Sequence, residues 1–304
     1  MRSRTAASRS GQWLIAALPY LWLVAFFLVP FLIVLKISLS QTAIAQPPYT
    51  PVLDLAAGWA GLRAFLEELS LSTYALLVGD DIYFFSYLKS LQVAALSTLV
   101  LVLIGLPIAY GMARAPGRAQ PILLVLMILP FWTSFLIRVY AWINILQRDG
   151  LLNDTLLALG LIEQPVAWLA SDTAVYIGII YSYLPFMVLP LYANFQKLDE
   201  SLLEAAADLG CPRWKTFFVV TLPLILPALA AGVLLCFIPI SGEFVIPDLL
   251  GGSQTLMIGQ TLWTEFFANR DWPVASAIAV VLLALLVVPM AYYENIQSRQ
   301  IEEG

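Results

Sequence analysis

Residues 201–223 read SLLEAAADLGCPRWKTFFVVTLP, a charged stretch between two long runs of uncharged, mostly apolar residues. Its first nine residues are good helix formers, and Gly210 then supplies a flexible stop before a second helical run from Pro212 to Val220. Glu204 and Asp208 are four residues apart and therefore share one face of the first helix. The spacing predicts two short helices hinged at Gly210, which together form a rigid projection.

The alanines that follow Glu204 keep this projection narrow. Because Ala205 and Ala206 are small, the groove of another protein can approach the helix closely. A narrow helix of this kind can dock into a groove on a partner protein. The alternative is an ordinary amphipathic loop helix without a partner, and the spacing alone leaves both readings open.

Outside this loop the composition is that of a membrane protein. Hydrophobic residues make up 61% of the 304 residues and charged residues only 12%. Six stretches run about 19 or more residues without a charge, which suits a hydrocarbon core of about 30 Å. We expect an all-α membrane protein with six transmembrane helices, at approximately 13–39, 87–113, 119–146, 173–196, 216–246 and 272–296. They would form one domain over 13–298, with the loop 197–222 inside it and tails at 1–12 and 299–304.

The basic residues predict the orientation of these helices. With six spans and the N-terminus inside, nine of the fifteen basic residues fall in inner segments: Arg2, Arg4, Arg9, Arg114, Arg118, Lys197, Arg213, Lys215 and Arg299. The positive-inside rule then places both termini and the Glu204 loop in the cytoplasm. Three outer segments, at 40–86, 149–172 and 246–272, would be the surfaces where a soluble substrate-carrying protein docks.

Several chemistries are missing from the chain. No glycine-rich stretch ends in Gly-Lys-Ser/Thr, so ATP hydrolysis would have to come from another chain. The sequence has no histidine, the commonest general base and metal ligand. Cys211 lies in the loop and Cys236 within a predicted span, so neither a disulfide nor a metal site is expected. The sequence predicts a transport subunit, not an enzyme, with no cofactor or metal of its own.

The Glu204 loop also resembles a known motif. Glu-Ala-Ala, then Gly210, then Leu-Pro at this spacing is similar to the EAA loop of permease subunits in bacterial ABC importers, with Val220 where the family pattern carries Ile. The resemblance implies that the loop couples the membrane helices to a cytoplasmic ATPase, through Glu204, Ala205, Ala206, Asp208, Gly210, Pro212, Leu222 and Pro223.

Other segments are similar to permeases of bacterial polyamine ABC importers, most of all the putrescine type. They are residues 90–94, 128–140, 184–192, 242–252 and 269–273. The resemblance implies an ABC type I importer permease of MetI-like architecture in the bacterial inner membrane. It also implies a heterodimer with a second related permease, two copies of a cytoplasmic ATPase that bind ATP and Mg, and a periplasmic polyamine-binding protein.

Within such a permease, Glu243 is the strongest candidate to meet the substrate. Putrescine is an extended dication, which calls for carboxylates and for aromatic faces that give cation–π contacts. A carboxylate within a predicted span, here at position 243 of the run 216–246, is functional by default. Alternatively, Glu243 forms an intramembrane ion pair with Arg138. Further candidates for the substrate path are Asp248, Trp132, Tyr140, Tyr183 and Trp263.

The expected mechanism is alternating access driven by ATP on the partner chains. A stand-alone secondary transporter or channel for organic cations is the main alternative, although it would leave the Glu204 loop without a purpose. An importer for spermidine, an amino acid or another small cation is a further alternative. An intramembrane enzyme is disfavoured because no nucleophile–base pair is evident.

Overall fold

The structure is a computed structural model that describes residues 17–52 and 58–302, so the predicted tail at 1–12 lies outside the described residues. The described helices are α1 Ala17–Ser38, α2 Gly58–Glu67, α3 Ser72–Gly79, α4 Asp81–Arg114, α5 Gln120–Trp132, α6 Phe135–Leu146, α7 Leu151–Ala158, α8 Asp172–Phe195, α9 Glu200–Asp208, α10 Arg213–Ser241, α11 Val245–Leu250, α12 Ile258–Trp263 and α13 Trp272–Glu302. A short antiparallel hairpin pairs β1 (Gln41–Thr42) with β2 (Tyr49–Thr50). Two compact units divide the chain, residues 1–84 with 262–304 and residues 85–261.

The first unit is built around α1 and α13. These two helices pack against each other, and α3 packs against α13. The end of α1 is tied to α3 by a hydrogen bond of 2.7 Å between the hydroxyls of Ser38 and Tyr74. Thr42 in the hairpin donates to the carboxylate of Asp271, just before α13, at 2.7 Å. Polar side chains thus close the end of this unit where α1 stops.

The second unit has its core between α4, α8 and α10. Met187 on α8 lies at the crossing point, fully buried. A Cβ added to Gly105 on α4 would lie 2.8 Å from Met187 Cγ, and one added to Gly232 on α10 would lie 3.0 Å from its Sδ. The two glycines therefore let three helices approach one side chain closely, as small residues do in membrane helix interfaces.

The six predicted spans are found only in part among the described residues. Four helices, α1, α4, α8 and α10, are long and apolar enough to cross a membrane. The bent pair Gln120–Trp132 and Phe135–Ala158 would make a fifth span if it crosses as one. The described apolar part of α13, Trp272–Val287, is shorter than a span, and α13 continues to Glu302 through part of the predicted tail 299–304.

Two predicted helices are interrupted, and proline or glycine lies at each interruption. The prediction of one helix over 119–146 is wrong, because the axis turns by 92° between α5 and the segment that follows. Pro130 lies in the last, 3-10 turn of α5 and its carbonyl accepts a 2.8 Å hydrogen bond from Thr133 Oγ1. The predicted helix 216–246 likewise stops at Ser241, and α11 begins separately at Val245. Gly242 comes directly after Ser241, the last residue of α10.

The predicted outer segments do contain short helices. Among the described residues, α7, Leu151–Ala158, lies in the segment 149–172, and α3, Ser72–Gly79, lies in the segment 40–86.

Candidate functional site

The loop between α8 and α10 is hinged at Gly210 as predicted, but its second helical run is not a separate short helix, because it begins at Arg213 and continues in α10 as far as Ser241. Its helix α9 begins after Asp199, whose carboxylate accepts a 3.0 Å hydrogen bond from the Ser201 amide. The hydrogen bonds from Ser201 lower the pKa of Asp199 from its ordinary value. At the other end, Gly210 has a left-handed φ of +75°. The Gly210 amide donates to Ala207 O at 2.9 Å and the Cys211 amide to Ala206 O at 3.0 Å, which is the glycine-dependent stop of a Schellman motif.

The predicted coupling residues are mostly accessible on this loop. Glu204, Ala205, Asp208, Gly210 and Pro212 are exposed, whereas Ala206 is half-buried. Among the described residues neither the Glu204 nor the Asp208 carboxylate has an ion-pair partner.

Two large apolar side chains on the same loop are exposed. Leu209 is 88% exposed and Trp214 is 69% exposed. Neither was singled out from the sequence. Exposed apolar groups beside unpaired carboxylates are typical of a protein interaction surface.

The loop is anchored to the bundle at both of its ends. Arg114 at the end of α4 forms an ion pair with Glu200 in the first turn of α9. On the other side, Leu222 packs against the core of the second unit, and Pro223 follows it inside α10. The predicted Leu222–Pro223 pair therefore lies where α10 enters the bundle, so that a displacement of the loop would pass directly into a long helix.

A cavity of about 780 Å³ lies beside the interruption between α10 and α11. Glu243 occupies the interruption and is only 8% exposed. Its Oε1 accepts from the amides of Phe244, Val245 and Ile246 at 3.2, 3.0 and 3.4 Å, and its Oε2 accepts from the Tyr183 hydroxyl at 2.6 Å. The carboxylate thus caps the start of α11, where the helix dipole favours negative charge.

Arg138 lines the same cavity from α6. Its guanidinium carbon lies 4.8 Å from the ring centroid of Phe131 and 5.6 Å from that of Phe135. Its Nε and Nη1 atoms are buried and have no hydrogen-bond acceptor among the described residues.

The predicted ion pair between Arg138 and Glu243 is absent from the described residues. The physical reason is that the Glu243 carboxylate already accepts four hydrogen bonds, three of them from amides that the helix interruption exposes. The two charged groups share a cavity without neutralising each other directly.

The remaining predicted path residues divide into two groups. Tyr183 lines the cavity with Glu243, as expected for a shared site. Trp132, Tyr140 and Asp248 are not in its lining; the Asp248 carboxylate instead accepts from Gln260 Nε2 at 3.0 Å. Trp263 belongs to the first unit, where its ring lies 4.1 Å from that of Phe267.

Several lining residues were missed by the sequence reasoning. They are apolar or small and carry no charge signal: Phe131, Phe135, Ser182, Phe186, Leu234, Leu235, Ile238, Pro239, Gly242, Phe244 and Val245. Helical spacing was the available signal for three of them, because Phe135 lies three residues before Arg138, Phe186 three residues after Tyr183, and Pro239 four residues before Glu243.

The fold is that of an ABC-importer permease. It resembles a bacterial alginate ABC transporter solved in complex with an alginate pentasaccharide-bound periplasmic protein, with a TM-score of 0.69 at 16% identity over 96% of each chain. Residues 102–301 match the model of the binding-protein-dependent transport system inner membrane component family, and the chain belongs to that family. It is therefore a multi-pass transport subunit of an inner membrane.

Curated relatives cover most of the chain. The spermidine/putrescine transport system permease protein PotB of Haemophilus influenzae is 36% identical over 294 residues, which is 96% of this chain and 96% of that protein. The protein of the same name from Escherichia coli K12 is 38% identical over 255 residues, 78% of this chain and 93% of its own. The predicted resemblance to polyamine permeases is confirmed by these two alignments.

Proposed function

We propose that this chain is the permease subunit of an ATP-driven importer that carries a polyamine, with putrescine as its preferred substrate, from a periplasmic binding protein into the cytoplasm. The observation that carries the proposal is the buried Glu243 carboxylate in a cavity of about 780 Å³ at a helix interruption. The names of the relatives supply the polyamine class, and the cavity supplies a place for an ammonium group.

The chemistry of the cavity wall suits an alkylammonium ion. Glu243 provides negative charge, and the C-terminal end of α10, whose dipole favours cations, ends beside it. Pro239 lines the cavity and has no N–H, so the carbonyl of Leu235 receives no helical hydrogen bond from that position. The rings of Phe131 and Phe186, 5.3 Å apart, offer faces for cation–π contact and for packing of methylene groups.

The loop that contains α9 is proposed to dock on a cytoplasmic ABC ATPase. Two carboxylates on this exposed helix have no ion-pair partner among the described residues, and the apolar side chains of Leu209 and Trp214 are exposed just after it, which supports this assignment. The orientation follows from the positive-inside rule, which places this loop and both termini in the cytoplasm. ATP and Mg²⁺ would bind on the ATPase and not on this chain.

The complete transporter is proposed to contain a second related permease, two ATPase copies and a periplasmic binding protein. ATP binding would close the ATPase pair, and the α9 loops would transmit that rigid-body motion into α10 through Leu222 and Pro223. The path would then open toward the binding protein, and hydrolysis would reset it. This chain would contribute coupling and part of the path, with no covalent chemistry.

Reconstitution tests the proposal against a stand-alone transporter or channel. The complex is purified with its ATPase and second permease, placed in proteoliposomes with the binding protein, and supplied with radiolabelled putrescine with or without internal ATP. We expect uptake only with ATP and binding protein, competed by spermidine but not by neutral amino acids. Uptake by this chain alone, driven by an ion gradient, would overturn the importer assignment. Competition by an amino acid alone would replace the polyamine with that substrate class.

A further inference from the structure

Arg138 is the charged group of the cavity that the proposed function leaves unused. It is the fourth residue of α6, and its guanidinium lies over the rings of Phe131 and Phe135. Two of its nitrogen atoms are buried without an acceptor among the described residues. Because the guanidinium does not lose its proton in proteins, a fixed positive charge faces the cavity.

Stability does not account for this position. A cation in the first turn of a helix is opposed by the helix dipole. Buried N–H groups without acceptors lose hydration that nothing replaces. The two phenylalanine rings offset part of this cost through cation–π contact. Glu243 offsets it only through space, since its carboxylate is already bound by Tyr183 and three amides. An ionisable residue kept at such a cost within a membrane bundle is functional by default.

We propose that Arg138 is a specificity-determining residue, which limits how strongly the permease favours amines of higher charge. The inference rests on the proposed function, because it assigns a role within the same polyamine path. Each ammonium group of a ligand in the cavity is attracted by Glu243 and repelled by Arg138. The repulsion grows with the number of ammonium groups, so a trication is penalised more than a monocation.

The same repulsion keeps binding in the permease weak. A transport path must bind its cargo well enough for entry and loosely enough for release. Among the described residues, the charged groups in the cavity wall are one carboxylate and one guanidinium. Their charges cancel, so the cavity does not retain a polycation. Glu243 would then attract the cation at entry, and Arg138 would weaken its binding enough for release.

The test compares three amines with one, two and three ammonium groups, namely butylamine, putrescine and spermidine. Uptake or competition is measured in proteoliposomes of the whole transporter, for the parent and for Arg138→Gln. The parent and the variant use the same binding protein. The preference of that protein among the amines therefore cancels when the half-saturating concentrations of the parent and the variant are divided. We expect Arg138→Gln to lower the half-saturating concentration by on the order of tenfold for each added ammonium group, and to slow maximal turnover. Arg138→Lys, which keeps the charge, should retain the parental dependence on ligand charge.

A second neutral variant, Arg138→Met, is included in case Arg138→Gln fails to assemble. The methionine side chain can pack on the two phenylalanine rings. An equal shift for all three amines would overturn the proposal. Loss of assembly in both neutral variants, with assembly retained in Arg138→Lys, would also overturn it, because Arg138 would then serve the contact with the second permease. If the parent takes up none of the amines, the proposed function fails as well. If it takes them up and the dependence on charge is unchanged in the variants, only the role of Arg138 fails.

Discussion

The loop between α8 and α10 and the cavity beside Glu243 are built in opposite ways. In the loop, the hydrogen bonds of the Asp199 cap and of the Gly210 stop join residues close in sequence, although the Arg114–Glu200 ion pair also ties α9 to α4. The side chains of Glu204 and Asp208 are exposed. In the cavity, side chains from α5, α6, α8, α10 and the segment before α11 meet, and the decisive carboxylate is buried. Local sequence therefore specifies the first region, whereas the second exists only after the helices have packed.

The largest expected effect is at the hinge of the loop. Gly210→Val places a β-branched residue at a φ of +75°, a conformation that costs an L-residue about 1–2 kcal/mol. We expect the variant to insert normally and to lose nearly all ATP-driven uptake, because α9 can no longer keep its angle. Uptake and membrane expression are measured together.

Gly160→Val is the matched control for the hinge. Gly160 follows α7 with a φ of +68° and open space around its Cα, as at Gly210. The local strain is therefore the same, but the position lies in a predicted outer segment. If both variants lose uptake equally, strain alone explains the effect and the hinge assignment is wrong.

A large but incomplete effect is expected from Glu204→Lys. The side chain is exposed and unpaired among the described residues, so the fold has no need of its charge. Reversal of that charge should weaken co-purification with the ATPase and reduce uptake at least tenfold, with an unchanged melting temperature. Glu163→Lys, at another exposed position, should leave all three measurements unaltered. A matching fall in stability would show that Glu204 acts within the fold instead.

An intermediate effect is expected at the cavity from Glu243→Gln. The amide still accepts from the three backbone N–H groups, but the charge that strengthens those bonds at the start of α11 is lost. We expect a loss of about 1–3 kcal/mol in the free energy of unfolding, together with reduced polyamine uptake. Denaturation in detergent and uptake in proteoliposomes measure the two effects.

The double variant sharpens this prediction. Since Arg138 and Glu243 form no ion pair among the described residues, the stability changes of Arg138→Gln and Glu243→Gln should couple only weakly, whereas Tyr183→Phe should be strongly non-additive with Glu243→Gln. A coupling between Arg138→Gln and Glu243→Gln as strong as that of Tyr183→Phe would mean that the ion pair forms in the folded protein.

The smallest expected effect is at the start of α9. Hydrogen bonds from Ser201 lower the pKa of Asp199, so the folded state holds the proton of this carboxyl less tightly than the unfolded chain does. The cap therefore stabilises the folded state fully at pH values above the ordinary aspartate pKa. This stabilisation is lost as the pH falls through the lowered pKa of Asp199. Hydrogen exchange at the Ser201 amide should speed up slightly in Asp199→Ala and not in Asp199→Ser, a good cap at every pH. Equal protection in all three proteins would contradict the capping role.

Much of this protein was open to prediction from its residues. Long uncharged runs require helices in a bilayer, because no other local structure satisfies the backbone there, and they locate α1, α4, α8 and α10. The EAA-like spacing with Gly210 specifies the loop, since the turn needs a left-handed residue at that point. A candidate carboxylate at position 243 was also foreseeable, because charge is rare in such runs. Its contact with Tyr183 was not, since the same run carries three other tyrosines, Tyr176, Tyr181 and Tyr192.

Only the tertiary structure decided what those residues do to one another. Proline and glycine in the runs indicate weak points, but whether a helix bends by 92° after Trp132 or stops at Ser241 depends on the neighbours that satisfy the freed backbone groups. The opposite charges of Arg138 and Glu243 suggested a pair from sequence. In the folded chain the Glu243 carboxylate instead accepts hydrogen bonds from three amides and a hydroxyl. The Arg138 guanidinium lies over two phenylalanine rings. Charge is written in the sequence, but the partner of a charge is set by which groups the folded chain brings within hydrogen-bonding distance.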